Sequence, residues 1–285
     1  MTDILILDGA LGTQLESYDL PLSLPIWSAD ANLNNPEIVT KIHNDYIKAG
    51  ANVITTNTFR STPWTYRKSG FSKLKAYNSA KDSFFRAIDC ARKASNEEIQ
   101  IAGAITSVED CYQPNKYPGK MATEETYGQL LEWFSEAEVD IILFETMGHI
   151  EEIKIALEMT SSTLDPIWVS LIMLDEETLL DGTLFLDFFQ LFENNNIDSL
   201  LLNCNNIDIT IEAMKKISNL KIPRFGAYPN LGLKEYQNNF QEIVNRSNFI
   251  PKMESLLKTD LGIIGACCGS TPKHIKILKT LINGL

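Results

Sequence analysis

The sequence has few of the features that mark membrane, secreted or nucleic-acid-binding proteins. Its 285 residues contain no run near the roughly 18 apolar residues of a membrane helix. The start, Met1-Thr2-Asp3, is not basic and leads into a short apolar run, so we expect no signal peptide. Lysine and arginine total 25 against 37 aspartate and glutamate residues, giving a formal net charge of -12. Because phosphate contacts need clustered basic side chains, nucleic acid is not expected as the main partner.

Cysteine and histidine are also scarce. The five cysteines are an odd number. The adjacent pair Cys267 and Cys268 is poorly placed for a structural disulfide, so a reduced, cytoplasmic setting is expected. The three histidines lie in helix-like stretches with no shared spacing and are expected at the surface or at helix caps. They are His43, His149 and His274.

What the chain does have is an ordinary globular composition. Hydrophobic residues make up 44% of the chain and charged residues 22%, which is ample for a sizeable core. Neither an internal repeat nor a low-complexity linker divides the sequence. Because α/β barrels of about 250 residues commonly form one domain, residues 1–285 are expected to form one.

Short apolar runs alternate with segments of helical period. Eight runs have strand length, and each leads into polar or turn residues. They are Ile4–Leu7, Val53–Thr56, Ile101–Ile105, Ile141–Phe144, Ile167–Ile172, Leu200–Leu202, Ile222–Ala227 and Gly262–Ile264. Alternation of strand and helix predicts a parallel sheet, and continuous apolar strands predict burial on both faces. Eight such units favour an α/β fold of the (β/α)8 TIM-barrel type, with a doubly wound open sheet as the alternative.

Several intervening segments carry helix signals. Asn35-Pro36-Glu37 predicts a helix start, and Gly50 predicts its end. Further helix starts are predicted at Thr123 and at Thr271-Pro272. Two irregular segments are interpreted as loop elaborations of the same domain. They are Asp110–Lys120 and Asn238–Lys258.

The cysteine pair indicates a metal site. Cys267 and Cys268 follow the last apolar run, and Cys204 follows the sixth in a similar setting. Both members of the pair can face one metal only if the chain bends, which Gly265 and Gly269 would allow. Three thiolates can hold a zinc ion and leave its fourth position open for catalysis. Three buried structural thiols are the alternative, since free cysteine is often buried.

A barrel would bring further polar residues to the same place. The C-terminal ends of barrel strands converge, and active sites lie there. The residues at the predicted strand ends are Asp8, Asn57, Thr106, Glu145, Cys204, Tyr228, Cys267 and Cys268. Sixty-three positions separate Cys204 from Cys267 in the sequence, so a fold of this kind is needed to join them.

Several segments match one family in its own order along the whole chain. They are Leu7-Asp8-Gly9-Ala10-Leu11-Gly12-Thr13-Gln14-Leu15, Pro25-Ile26-Trp27-Ser28, Tyr46 to Phe59, Phe144-Glu145-Thr146-Met147, Asn203-Cys204 and Gly265-Ala266-Cys267-Cys268-Gly269. With them the sequence resembles the zinc-dependent homocysteine S-methyltransferases. The resemblance implies a (β/α)8 barrel, homocysteine as methyl acceptor, and Zn2+ held by Cys204, Cys267 and Cys268.

The resemblance also implies substrate-binding residues. Asp8 and Glu145 match positions that hold the amino group of homocysteine, although strand-end carboxylates can also simply cap a following helix. Trp27 matches a tryptophan near the methyl-donor pocket; an aromatic face suits a cation, but packing of an N-terminal loop is the alternative. Asn57, Thr58 and Phe59 would line the pocket, largely through the position of their backbone. Beyond zinc, no catalytic side chain is expected.

The sequence gives less information about the methyl donor. The segment from Gly103 to Asp110 departs from the family's usual turn after the third strand, and the chain ends soon after the eighth predicted helix. With no room for folate, cobalamin or betaine modules, S-methylmethionine or S-adenosylmethionine is favoured by elimination. Two alternatives are a corrinoid-dependent module that acts with a separate methyl-carrier protein, and a non-catalytic redox or metal sensor built on the vicinal thiols. Small molecules are the expected partners, and the oligomeric state stays open.

Overall fold

The core of the structure is a sheet of eight parallel strands. The computed structural model describes residues 4–20, 22–193, 195, 197–217, 220, 224–233, 241–242 and 246–284. The strands are β1 (Leu5–Ile6), β2 (Val53–Thr55), β3 (Gln100–Ile105), β4 (Ile141–Met147), β5 (Ile167–Leu171), β6 (Ser199–Asn206), β7 (Phe225–Asn230), β8 (Gly232–Leu233), β9 (Gln241–Glu242) and β10 (Ile263–Ile264). Of these, β8 and β9 form a separate antiparallel pair.

The sheet closes on itself. Strands β2 to β7 lie side by side in chain order, followed by β10 and then β1. A parallel bridge between Leu7 and Val53 joins the two ends of the sheet, and the Asp8 amide donates to the Val53 carbonyl at 2.9 Å. The (β/α)8 barrel expected from the sequence is therefore confirmed, and the open-sheet alternative is wrong.

Helices surround the barrel. They are α1 (Leu11–Glu16), α2 (Ala29–Asn34), α3 (Pro36–Ala49), α4 (Pro63–Lys68), α5 (Lys73–Ala94), α6 (Lys120–Ala137), α7 (Ile150–Thr160), α8 (Phe185–Glu193), α9 (Ile207–Ile217), α10 (Arg246–Leu257) and α11 (Pro272–Asn283). None of the helices in the described part of the chain combines the length and apolarity that a membrane crossing needs.

Two of the predicted helix starts are confirmed and one is wrong. Helix α3 begins at Pro36 after Asn35 and ends before Gly50, whose φ of 113° is the left-handed conformation that favours glycine. Helix α11 begins after Thr271, whose side chain forms a capping box with His274. Helix α6 starts at Lys120, ahead of the predicted Thr123. The Thr123 hydroxyl instead donates to the Gly119 carbonyl at 3.2 Å, inside the first turn.

The two predicted loop segments are partly regular. A short 3-10 turn, Pro114–Lys116, lies in the segment after β3. Helix α10 occupies much of the later segment, while residues 238–240 and 243–245 lie outside the described residues. The seventh strand starts at Phe225, later than predicted, and residues 222 and 223 of that prediction are also outside the description.

Apolar side chains fill both sides of the strands. One cluster lies inside the barrel and a larger one lies between strands and helices. The inner cluster consists of Leu7, Val53, Ala102, Ile141, Leu143, Trp168, Leu201, Tyr228 and Ile263. Full burial of one large apolar side chain stabilises a fold by about 1.5–3 kcal/mol. Because the strands of the barrel contribute apolar side chains to the inner cluster, their packing keeps the ends of the strands in fixed positions.

Candidate metal and substrate site

The three cysteines of the predicted metal site lie together. Cys204 is in the last part of β6, and Cys267 and Cys268 follow β10. The Sγ atom of Cys204 is 2.8 Å from that of Cys267 and 3.5 Å from that of Cys268, and the adjacent pair is 4.0 Å apart. Strands far apart in sequence thus present three sulfur atoms at one end of the barrel.

The backbone reaches this arrangement in two different ways. Gly269 has a φ of 80° and packs so closely on Gly232 that a Cβ would lie 2.8 Å from its nitrogen. Gly265, expected to bend in the same way, has no positive φ; a Cβ there would lie 3.0 Å from the Leu7 Cβ, a tight contact that favours glycine. Cys204 itself is left-handed, with a φ of 57°. Its thiol is turned toward the pair where the register between β6 and β7 shifts.

A buried amide fixes the strand ends beside Cys204. The Asn203 side chain accepts from the Thr146 amide at 3.2 Å and from the Ser170 hydroxyl at 2.7 Å, and it donates to the Thr146 hydroxyl at 2.7 Å. Thr146 is also left-handed, with a φ of 60°. Left-handed conformations of residues other than glycine persist only where neighbouring contacts stabilise them. The hydrogen bonds of the Asn203 amide provide these contacts at the ends of β4 and β6.

The donor set fits a tetrahedral thiolate-binding metal. A Zn–S bond of about 2.3 Å places tetrahedral sulfurs about 3.8 Å apart. Two of the three observed separations, 3.5 and 4.0 Å, are near this value, while Cys204 and Cys267 at 2.8 Å would have to widen. Hydrogen bonds to Cys204 and Cys268, together with burial, raise the pKa of Cys267 well above its ordinary value. Three such close thiols ionise together only when a cation takes the charge, which is what a metal does.

A tyrosine that the sequence did not indicate contacts the cluster. The Tyr112 hydroxyl, on the loop after β3, donates to Cys204 Sγ at 3.0 Å. Burial, followed by the charges of Cys204 and Cys268, raises the pKa of Tyr112 well above its usual range, so it stays a donor. No motif marks it, since only the path of the loop brings it to the sulfur.

Asp8, two residues after β1, and Glu145, in the last part of β4, line the same cavity as the thiols. The Asp8 carboxylate accepts from the Thr55 amide at 3.0 Å and the Thr55 hydroxyl at 3.1 Å. Burial raises the pKa of Asp8 to about 8, although the Thr55 contacts lower it in part. Burial, and secondly the nearby Cys204, raises the pKa of Glu145 to about 7. A bound ammonium group would lower both values, so the pair suits an amine.

One cavity joins these groups. It has a volume of about 590 Å3, and its lining includes Asp8, Trp27, Asn57, Glu145, Cys204, Tyr228, Cys267 and Cys268. The Trp27 ring meets that of Phe59 edge to face, with centroids 6.1 Å apart. Ligand pockets of about 300–1,000 Å3 hold drug-sized molecules, so there is room for more than one amino acid.

Two predicted pocket residues have structural contacts. The Asn57 amide lines the cavity but donates to the Ser28 carbonyl and to Asn32, both at 2.8 Å, which fixes the segment that carries Trp27. Thr58 lies outside the cavity lining. Its hydroxyl donates to the Ala104 carbonyl at 2.7 Å, so the structure gives it a part in holding the loop.

The three histidines and the two other cysteines lie in different surroundings. His149 and His274 lie at helix starts, as expected, but His43 is fully buried in α3, so its expected surface position is wrong. Helical periodicity explains the error, because His43 follows Ile42 and Val39 on the inner face. Cys111 is buried and lines the cavity, while Cys90 packs in α5 with its thiol 3.3 Å from the Pro36 carbonyl.

Comparison with known proteins identifies one family. A family model described as homocysteine S-methyltransferase matches residues 5–282. Homocysteine S-methyltransferase of Escherichia coli strain K12 is 25% identical, covering 97% of this chain and 94% of its own. A selenocysteine Se-methyltransferase of Brassica oleracea is 23% identical over 98% of this chain and 89% of its own.

The comparison with solved structures leads to the same family. The E. coli homocysteine methyltransferase MmuM in its metallated form has a TM-score of 0.83 and 25% identity, with 98% of this chain and 96% of that chain covered. An N-acetylneuraminate lyase from Mycoplasma synoviae, at 13% identity and a TM-score of 0.51, shares the fold alone; the match covers 96% of this chain and 71% of that one. These matches favour an enzyme over a non-catalytic thiol sensor. The chain belongs to the homocysteine S-methyltransferase family.

Proposed function

We propose that the protein transfers a methyl group from a sulfonium donor, S-methylmethionine or S-adenosylmethionine, to homocysteine, with zinc held by Cys204, Cys267 and Cys268. The observation that carries this proposal is the trio of thiols within 4.0 Å of one another on a cavity wall shared with Asp8 and Glu145. Three thiolates suit zinc and leave one coordination position for a substrate sulfur.

Zinc, when bound, lowers the pKa of a thiol and so supplies at neutral pH the thiolate that a free thiol of pKa about 8.5 does not. In the proposal, Asp8 and Glu145 bind the ammonium group of homocysteine and aim its sulfur at the cysteine trio. Tyr112 holds Cys204 in place through its 3.0 Å hydrogen bond. Asn57 holds the segment before α2, and with it Trp27, against the cavity.

The transfer itself is a displacement. The homocysteine thiolate uses a lone pair to form the new carbon–sulfur bond, and the pair of the breaking bond goes to the sulfonium sulfur. The donor leaves as a neutral thioether, so one negative and one positive charge cancel. No proton moves in this step, which accounts for a mechanism without a histidine base.

The cavity suits a cationic donor. Its lining contains Asp8, Glu16, Glu109, Asp110 and Glu145, which outnumber its basic side chains. The edge-to-face pair of Trp27 and Phe59 offers an aromatic surface of the kind that attracts sulfonium and ammonium groups. Both features favour a sulfonium over a neutral or anionic methyl donor.

The test uses reduced, zinc-loaded protein and homocysteine with an isotopically labelled carbon chain. Labelled methionine is expected with S-methylmethionine or S-adenosylmethionine and no other protein present. Product that appears only with a methylated corrinoid carrier protein would contradict the sulfonium donor and support the corrinoid-dependent alternative.

A further inference from the structure

Two basic side chains of the cavity lining meet at one acidic residue. Glu109, on the loop after β3, accepts from the Lys68 ammonium at 2.8 and 2.5 Å through its two carboxylate oxygens. The Trp64 indole N–H donates to the same carboxylate at 3.0 Å. Arg60, on the loop after β2, donates to the Glu109 backbone carbonyl at 3.0 Å. These residues form a charged cluster, Arg60–Lys68–Glu109, in the lining of the cavity.

Arg60 has binding capacity that this cluster does not use. Its Nε atom is enclosed by protein and has no hydrogen-bond partner within the described residues, so a ligand in the cavity would meet the terminal nitrogens, one of which donates to the Glu109 carbonyl. No carboxylate of the described part of the chain lies within ion-pair distance of its guanidinium, whereas Lys68 is paired with Glu109. A guanidinium presents a planar fork of donors that matches a carboxylate, so Arg60 suits a carboxylate ligand.

The aromatic pair lies next to this cation. The guanidinium carbon of Arg60 is 5.3 Å from the centroid of the Phe59 ring, and that ring meets Trp27 edge to face. Because the guanidinium covers one face of Phe59, a sulfonium would use the remaining aromatic surface of the pair, where a carboxylate on Arg60 would be its neighbour. The two groups are joined by a short carbon chain in a sulfonium amino acid.

The two acidic positions differ in their surroundings. Asp8 and Glu145 lie near the three thiols and accept from neutral groups, so they form the amine site of the acceptor in the proposed function. Glu109 lies instead against a lysine and beside an arginine. An amino-acid head group carries one charge of each sign: its carboxylate would pair with Arg60, and its ammonium group would take the place of the half-exposed Lys68 ammonium on Glu109.

We propose that Arg60 binds the α-carboxylate of the methyl donor and that Glu109 receives its α-ammonium group, so that the cavity selects a sulfonium that is also an amino acid. This proposal rests on the proposed function, because it assigns the second substrate of the same cavity. It covers S-methylmethionine and S-adenosylmethionine alike, since they share this head group.

The experiment measures binding by calorimetry to zinc-loaded protein, with homocysteine omitted. Three sulfonium ions are compared: S-methylmethionine, dimethylsulfoniopropionate, which keeps only the carboxylate, and trimethylsulfonium, which has neither head-group charge. On the native protein we expect affinity to fall in that order. The variants are Arg60→Met and, as matched control, Arg67→Met; Arg67 stacks on the Trp64 ring at 5.4 Å outside the cavity lining.

In Arg60→Met, S-methylmethionine should bind about 10- to 100-fold more weakly, because the variant loses the hydrogen bonds between the guanidinium and the carboxylate of the ligand. Its advantage over trimethylsulfonium should shrink by the same factor, while Arg67→Met should keep the native ratio. The series on native protein tests the proposal without a variant, in case Arg60→Met does not fold. Equal affinity of native protein for all three ions, or equal weakening of all three in Arg60→Met, would overturn it.

The same samples separate this proposal from the proposed function. Binding of S-methylmethionine that depends on Arg60, without any methionine formed once homocysteine is added, would leave the head-group site standing and refute the transfer. Methionine formation with no dependence on the donor head group would refute the head-group site and leave the transfer standing.

Discussion

At the scale of single residues, the Tyr112 hydroxyl helps to fix the position of one sulfur atom of the cysteine trio. It donates to Cys204 Sγ at 3.0 Å. Loss of a hydrogen bond to a metal ligand typically lowers metal affinity about 10- to 100-fold. We therefore expect Tyr112→Phe to bind zinc that much more weakly, measured by competition with a chelator. Tyr117→Phe, on the same loop but stacked on His149, is the control and should keep native affinity.

Glu145 carries the acceptor's ammonium group in the proposed function. Replacement by glutamine keeps its size and removes its charge, so Glu145→Gln should raise the KM for homocysteine about 10- to 100-fold. The inhibitor 4-mercaptobutanoate, which lacks the ammonium group, should bind native and variant protein alike. A parallel loss of affinity for that analogue would show that the substitution disturbs the cavity instead of an ammonium contact.

His43 gives the stability a dependence on pH. Burial lowers its pKa from 6.5 to about 4, and neither ring nitrogen has a hydrogen-bond partner among the described residues. The unfolded chain takes up this proton below pH 6.5 and the folded chain does not, so its contribution is full above that pH and is lost as pH falls toward 4. Between pH 7 and pH 5 this removes about 2 kcal/mol from the free energy of unfolding.

His43→Leu should lack that loss, because leucine does not titrate and leaves no unpaired polar atom in the core. Urea unfolding at both pH values measures it. His149→Asn, at the half-buried start of α7, is the control and should keep most of the native dependence. The same change in the free energy of unfolding between pH 7 and pH 5 in His43→Leu as in the native chain would refute this account of His43.

At the scale of elements, the Asn203 side chain connects β4, β5 and β6. It makes three buried hydrogen bonds to Thr146 and Ser170. Because unsatisfied buried partners cost about 1–3 kcal/mol each, we expect Asn203→Ala to lower the free energy of unfolding by several kcal/mol and to weaken zinc binding. Urea unfolding and zinc content measure both. Asn115→Ala, at the surface, should change neither; native stability in Asn203→Ala would contradict the connection.

The same elements show what a sequence can predict. The central residues of the strands were predictable because a continuous apolar run of strand length is stable only where both of its faces are buried. The metal-site cysteines were predictable because they come directly after two such runs. The start of α6 was not predictable. Thr123 is a residue type that often caps a helix, but here its hydroxyl donates to the Gly119 carbonyl, four residues earlier in the chain. Nor were the left-handed Thr146 and Cys204, whose conformation depends on contacts from other strands. Tyr112 and Arg60 were missed because loop paths set their positions.

At the scale of the whole molecule, barrel closure makes the site. The bridge from Leu7 to Val53 joins the first and second strands, and β10 lies beside β1. Closure therefore places Asp8, Cys204 and Cys267 on one cavity although they are distant in sequence. The sequence pattern predicted this convergence, but the distances within it depend on side-chain packing that no local pattern encodes.

The central claim is that the cysteine trio holds the zinc on which methyl transfer depends. The most direct measurement is zinc content together with methionine formation from homocysteine and S-methylmethionine, in native protein, Cys268→Ser and the control Cys90→Ala, whose thiol packs in α5. Native protein and the control should each carry one zinc per chain and form methionine, and Cys268→Ser should lose both. A reduced native protein without zinc, or a Cys268→Ser variant that keeps both zinc and activity, would contradict the account.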